Sequence, residues 1–114
     1  MPPKTALFVG RDLNARTRLE NAAAAAGVNL VTAAPDALVT ALSTHEPGVV
    51  ILDLDFGRDA VLEQLARAHQ SGLAPSHVVG YFSHVDEDLG AAARRTGCRA
   101  LPRGAFWRDL PTLF

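Results

Sequence analysis

A chain of 114 residues with 48% hydrophobic and 20% charged side chains has the size of one domain with a core of its own, and its net charge of −1 gives no long-range pull toward nucleic acid or anionic lipid. One cysteine, Cys98, excludes an internal disulfide and has no Cys or His at zinc-site spacing, which fits a reducing compartment. No stretch reaches the roughly 18–20 apolar residues of a membrane helix, and Met1-Pro2-Pro3-Lys4 before a strand is not a signal peptide, so the expectation is a soluble, cytoplasmic protein.

In chain order, residues 5–10 read as a strand. Residues 13–26 read as a helix whose alanine run has high helix propensity, stopped by Gly27 as its C-terminal cap. A second strand follows at 28–33. Pro35 suits the first turn of a helix running to His45. Val49-Val50-Ile51-Leu52, bounded by Pro47-Gly48 and Gly57, is an apolar run of the kind buried on both faces in a parallel sheet, and it ends in Asp53 and Asp55. Residues 58–70 place Val61, Leu62, Leu65 and Ala68 at helical spacing, closed by Ser71-Gly72. A fourth strand is expected at 76–82. The next helix carries Asp86, Glu87 and Asp88 in its first turn and Arg94-Arg95 in its last, in agreement with the helix dipole, and stops at Gly97. Residues 98–101 read as a short fifth strand, and 105–110 as a closing helix before Pro111.

Five strands alternating with five helices in so short a chain predict an α/β fold in one domain, 1–114: a flavodoxin-like, doubly wound parallel sheet with strand order 2-1-3-4-5. The most hydrophobic strand is then central. The carboxyl ends of strands one, three and four converge on one pocket, where ligands collect in such sheets.

With these elements placed, nearly the whole chain resembles the receiver domains of two-component response regulators. The resemblance is carried by Ala6-Leu7-Phe8-Val9 with a polar turn and Arg16, by Val49 to Leu54 with Asp53 at the strand end, by Val78 to Ser83, and by Gly97 to Phe106 with the basic Arg103. It implies that Asp53 matches the phosphoacceptor, Ser83 the hydroxyl that contacts the phosphoryl group, and Arg103 the basic residue that is normally lysine.

The chain also departs from that family. Receivers place two acids directly after the first strand to hold magnesium, whereas Gly10 and Arg11 stand there and only Asp12 follows. The loop after Asp53 is shortened, and Ala100 stands where a switch aromatic commonly lies. Arg11, at the end of strand one, is expected to pair with Asp53 or Asp55 and to occupy the place of the metal. The expected pocket is therefore Arg11, Asp12, Asp55, Ser83 and Arg103 around Asp53, with no metal, no cofactor and no catalytic group.

Other constellations are weaker. Asp53, Asp55, His84 and Asp86 could gather a transition metal, but solvated loop residues explain them as well. His45, His69 and His77 lack partners at useful spacing. Gly10-Arg11-Asp12 before a helix could hold an anion, yet the chain has neither a Gly-rich fingerprint nor a phosphate loop. Ser83-His84 lacks the surrounding pattern of a hydrolase nucleophile. The sequence therefore reads as an atypical, stand-alone receiver-like domain acting in signalling by protein contact, without nucleic acid or membrane, with a homodimer as one possible assembly. The resemblance assigns its interaction face to the fourth helix, fifth strand and fifth helix, here Arg94, Arg95, Arg99, Phe106 and Trp107. A receiver that still accepts phosphate on Asp53, or a small flavodoxin-like nucleotide binder or enzyme, would use the same pocket.

Overall fold

The strand Val49–Asp53 (β3) is buried at all five positions, as its unbroken apolar run requires. The computed structural model describes residues 5–73, 77–83 and 87–114. Within them, Thr5–Val9 (β1), Asn29–Ala33 (β2), β3, His77–Phe82 (β4) and Arg99–Pro102 (β5) form one parallel sheet in the order β2-β1-β3-β4-β5. The expected architecture and strand order are therefore observed.

Side-chain alternation along the strands divides the core in two. Leu7, Val9, Val50, Leu52 and Phe82 face the helices Leu38–His45 (α2), Arg58–Gln70 (α3) and Glu87–Arg95 (α4) through Leu38, Leu42, Val61, Leu65 and Leu89. Phe8, Ile51, Val79 and Tyr81 point the other way, onto Ala15 and Leu19 of Leu13–Ala25 (α1) and Phe106 of Arg103–Asp109 (α5).

Three helices stop through the same device. After α1, Gly27 at φ +74° lets its N–H donate to Ala24 O and the Val28 N–H to Ala23 O; Gly72 after α3 and Gly97 after α4 repeat this double bond. α2 ends differently, with Glu46 in the left-handed region at φ 45°.

Boundaries differ from expectation where proline or a short strand intervenes. Pro35–Ala37 forms a 3-10 turn ahead of α2 rather than its first turn. β5 is displaced by one residue to include Pro102, so α5 begins at Arg103, and Pro111 redirects the end into a second 3-10 turn, Leu110–Thr112. The expected starts of β4 at Ser76 and α4 at Asp86 lie outside the described residues. Among the described residues no helix is long and apolar enough to cross a membrane.

Candidate functional site

Asp53 is the only charged residue in the buried core among the described residues, 4% exposed at the carboxyl end of β3. The chain turns there: the Leu54 N–H still donates to Tyr81 O of β4 at 2.9 Å, whereas the Asp55 N–H turns back to Asp53 Oδ1 at 3.1 Å. This tight return places two carboxylates side by side.

Arg103 closes over both. Its position follows from Pro102, which ends β5 opposite Phe82 and delivers the first residue of α5 to the strand ends. Arg103 Nε and Nη2 lie 3.2 and 3.1 Å from Asp55 Oδ2, and Nη2 lies 3.7 Å from Asp53 Oδ1. The guanidinium also lies over the Tyr81 ring, 5.0 Å from its centroid. From β4, the backbone N–H of Ser83 donates to both oxygens of Asp55, at 3.2 and 3.0 Å. Asp53, Asp55, Ser83 and Arg103 are thus brought together, with Ser83 contributing its backbone rather than the expected hydroxyl.

Arg11 is not part of this cluster. It is exposed, with its guanidinium 5.2 Å from the Phe56 ring centroid, and no ion pair joins it to Asp53 or Asp55 among the described residues. The expectation that Arg11 neutralises the pocket is corrected: Arg103 does so. The reason is local, because Arg11 sits in a loop leading outward to α1, while Arg103 is fixed by a helix and a strand. Asp12 is engaged too. Its carboxylate caps α1, accepting from the Asn14 and Ala15 N–H groups at 2.8 and 3.3 Å.

Two aromatic residues that the sequence reading passed over shape the site. A Cβ added to Gly10 would fall 2.5 Å from Phe8 Cζ and 3.0 Å from Asp53 Cβ, so the Phe8 ring fills the space into which a side chain at position 10 would extend. Tyr81 lies directly across the ladder from Asp53, which in a parallel sheet places both on one face. That register was derivable once β3 and β4 were recognised as neighbours. The Tyr81 hydroxyl is enclosed beside the Asp53 carboxyl, which it influences, but it makes no hydrogen bond of standard geometry among the described residues. Burial pushes the Asp53 carboxyl above its ordinary range, with Arg103 opposing the shift. Burial, and then the charge of Asp53, push the Tyr81 phenol up as well.

The magnesium ion that the receiver resemblance implies does not fit these residues. Position 10 has no room for a carboxylate, position 11 is an arginine that offers no oxygen ligand, and Asp12 is committed to a helix end. No group of three or more His, Cys, Asp or Glu residues that could hold a metal occurs among the described residues. The alternative metal reading needed His84 and Asp86, which lie outside them.

The expected interaction face divides. Arg94 donates to Ala100 O at 3.0 Å, Arg99 pairs with Asp109 at 3.6 Å, and Arg95 is exposed. Phe106 and Trp107 do not belong to that face: Phe106 is fully buried, and Trp107 packs toward α1, where the Arg18 guanidinium lies 4.0 Å from its ring centroid. α5 covers the α1 side of the sheet, so its apolar residues turn inward or toward that helix. Cys98 is a buried thiol pushed up to about 12 by that burial.

No family model and no curated sequence matches the chain. Solved structures do. The signal receiver domain of a LuxO repressor protein from Vibrio parahaemolyticus superposes with a TM-score of 0.72 at 13% identity, over 99% of this chain and 93% of that one. This chain shares the fold of receiver domains. The chemotaxis response regulator CheY4 of Vibrio cholerae gives a TM-score of 0.73 at 12% identity, over 96% and 98% of the two chains. A transiently phosphorylated switch of bacterial signal transduction gives 0.68 at 24% identity, over 99% and 92%. In this receiver fold the carboxyl ends of β1, β3 and β4 meet at Asp53, and at those ends the chain carries Gly10, a buried carboxylate and an arginine fork.

Proposed function

We propose that the chain is a signalling module of receiver type that works through protein contact, without catalysis and without magnesium-dependent phosphorylation of Asp53. The observation that carries this reading is Arg103 forked onto Asp55 and standing 3.7 Å from Asp53, beside a strand end where Phe8 leaves no room for an acid at position 10. A carboxylate that is to attack a phosphoryl group needs a divalent cation to neutralise the entering charge. Here the neutralising charge is a fixed guanidinium, which cannot offer a phosphoryl oxygen an open coordination position. A cytoplasmic location and an absence of nucleic-acid or membrane partners follow from composition, and a second copy of the chain is one candidate protein partner.

Incubating the full chain with a small phosphodonor and millimolar Mg²⁺, followed by intact mass, tests this. The expected mass is unchanged, and Mg²⁺ leaves the NMR signals around Asp53 in place. A gain of one phosphoryl group that disappears in Asp53→Ala would make the chain a working phosphoacceptor and overturn the proposal.

A further inference from the structure

Trp107 stands at the outer end of an aromatic row that begins at the carboxylate pair. Arg103 covers Tyr81, the Tyr81 centroid lies 4.8 Å from Phe106 and 5.6 Å from Trp107, and the Arg18 guanidinium of α1 lies over Trp107, 4.0 Å from its centroid. No carboxylate pairs with Arg18 among the described residues. One turn further along α1 a groove of about 360 Å³ opens, lined by Ala22, Ala25, Ala26, Leu110, Pro111 and Phe114. Its origin is legible in the chain. Alanine side chains end at Cβ and leave the last turns of α1 low, while Pro111 redirects the end of the chain so that Phe114 packs in the same cluster as Ala26 and Leu30.

We infer that this α1–α5 groove is a docking site for an acidic amphipathic helix of a partner protein, an apolar side chain seated in the groove and a carboxylate on Arg18. The inference rests on the reading that the chain signals by contact, and names the face. Charge complementarity selects the occupant: one face of the guanidinium is used on Trp107, and its edge N–H groups match a carboxylate in a planar fork. An anionic membrane fits less well, because such surfaces recruit faces rich in Lys and Arg, and Arg16 on the same helix is already paired with Glu20 at 2.6 Å. A second copy also fits less well. The exposed large hydrophobics among the described residues are Leu13 and Leu73; one turn beyond Leu13 stand Arg16 and Thr17, which bring no carboxylate to Arg18.

The test uses the full chain and two synthetic 18-residue helical peptides with one Leu/Phe stripe, flanked by Glu in one and by Lys in the other, with anionic phospholipid vesicles as a third arm. The Glu peptide is expected to give saturable NMR shifts at residues 22–26 and 110–114 and at the Trp107 indole N–H, with the Lys peptide at least about tenfold weaker. Ala25→Arg, at an exposed helical position, should abolish the shifts, and Arg18→Gln should weaken binding about tenfold while the chain stays folded by its NMR spectrum, with only the small fall in melting temperature that losing the contact with Trp107 brings. Equal binding of the two peptides, a response to vesicles alone, shifts confined to other faces, or no saturable shift would each overturn the inference. Phosphorylation of Asp53 is read separately by mass, so the two proposals fail independently.

Discussion

Arg103 directs Nε and Nη2 at a single oxygen of Asp55, 3.2 and 3.1 Å away, while the same Nη2 stands 3.7 Å from the buried Asp53. One cation thus serves two carboxylates that share a turn. The Arg103 side chain is 41% exposed, so solvent discounts the pair relative to a buried bridge. Arg103→Ala is expected to lower stability by about 1 kcal/mol at pH 7, seen in thermal denaturation as a fall of roughly 3–5 °C. In a double-mutant cycle with Asp55→Asn, a coupling energy of at least about 0.5 kcal/mol is expected. Additive losses would show that the fork contributes nothing.

The buried carboxyl itself gives a prediction of opposite sign. Burial raises the folded-state titration of Asp53 above its ordinary value of 3.8, so the folded protein holds this proton more tightly than the unfolded chain. Stability from this group is fully present below 3.8 and falls as pH rises through the folded-state value. Asp53→Asn has no charge to bury, and its amide oxygen can still accept the Asp55 N–H. The variant should therefore melt higher than the parent at pH 7, with the difference shrinking toward pH 3. A variant that melts lower at pH 7 would mean that attraction to Arg103 outweighs burial.

The residues that fix the architecture carry short-range signals, which is why the fold could be read from the chain. The apolar run at Val49–Leu52 identified the central strand, and Gly27, Gly72 and Gly97 marked helix ends at the positions where positive φ is observed. The site was legible only in part. Asp53 and Asp55 were found because they end a strand, whereas the choice of cation depended on where two loops travel, and spacing along the chain does not encode that. Arg11 and Arg103 look equivalent in sequence; Pro102 and the start of α5 separate them. The interaction face implied by the resemblance includes Phe106 although an apolar closing helix also suits the core, and the structure decides for the core, since the face of the sheet that α5 covers becomes known only once its packing on Tyr81 is seen.

Gly57 closes the loop after β3 with a left-handed backbone pressed against Pro35. Its φ is +63°, and an added Cβ would fall 2.6 Å from Pro35 Cγ. Gly27 has a similar φ of +74° with nothing within 4 Å of the corresponding position. Alanine at position 27 carries only the left-handed backbone penalty, about 1–2 kcal/mol, while alanine at position 57 must also displace Pro35. In paired denaturant titrations Gly57→Ala should cost at least about 1 kcal/mol more than Gly27→Ala. Equal costs would mean that the 3-10 turn at Pro35–Ala37 yields freely.

Gly10 gives the most direct physical handle on why the site lacks an acid at the end of β1. A side chain there would enter the Phe8 ring, whose Cζ and Cε1 would lie 2.5 and 2.9 Å from the new Cβ, and would press on Asp53 Cβ at 3.0 Å. Phe8 is fully buried between β1 and the α1–α5 layer, so its ring cannot move without opening the core. Gly10→Ala is therefore expected to cost about 1–3 kcal/mol, the usual penalty of overpacking, and Gly10→Asp more, because it adds a third carboxylate beside Asp53 and Asp55. In a Phe8→Leu background the cost of Gly10→Ala should shrink, since the shorter side chain vacates the contact, even though Phe8→Leu is itself destabilising. Stability curves for the four combinations decide the matter. If Gly10→Ala is harmless in the parent, Phe8 is not what keeps a side chain out of position 10.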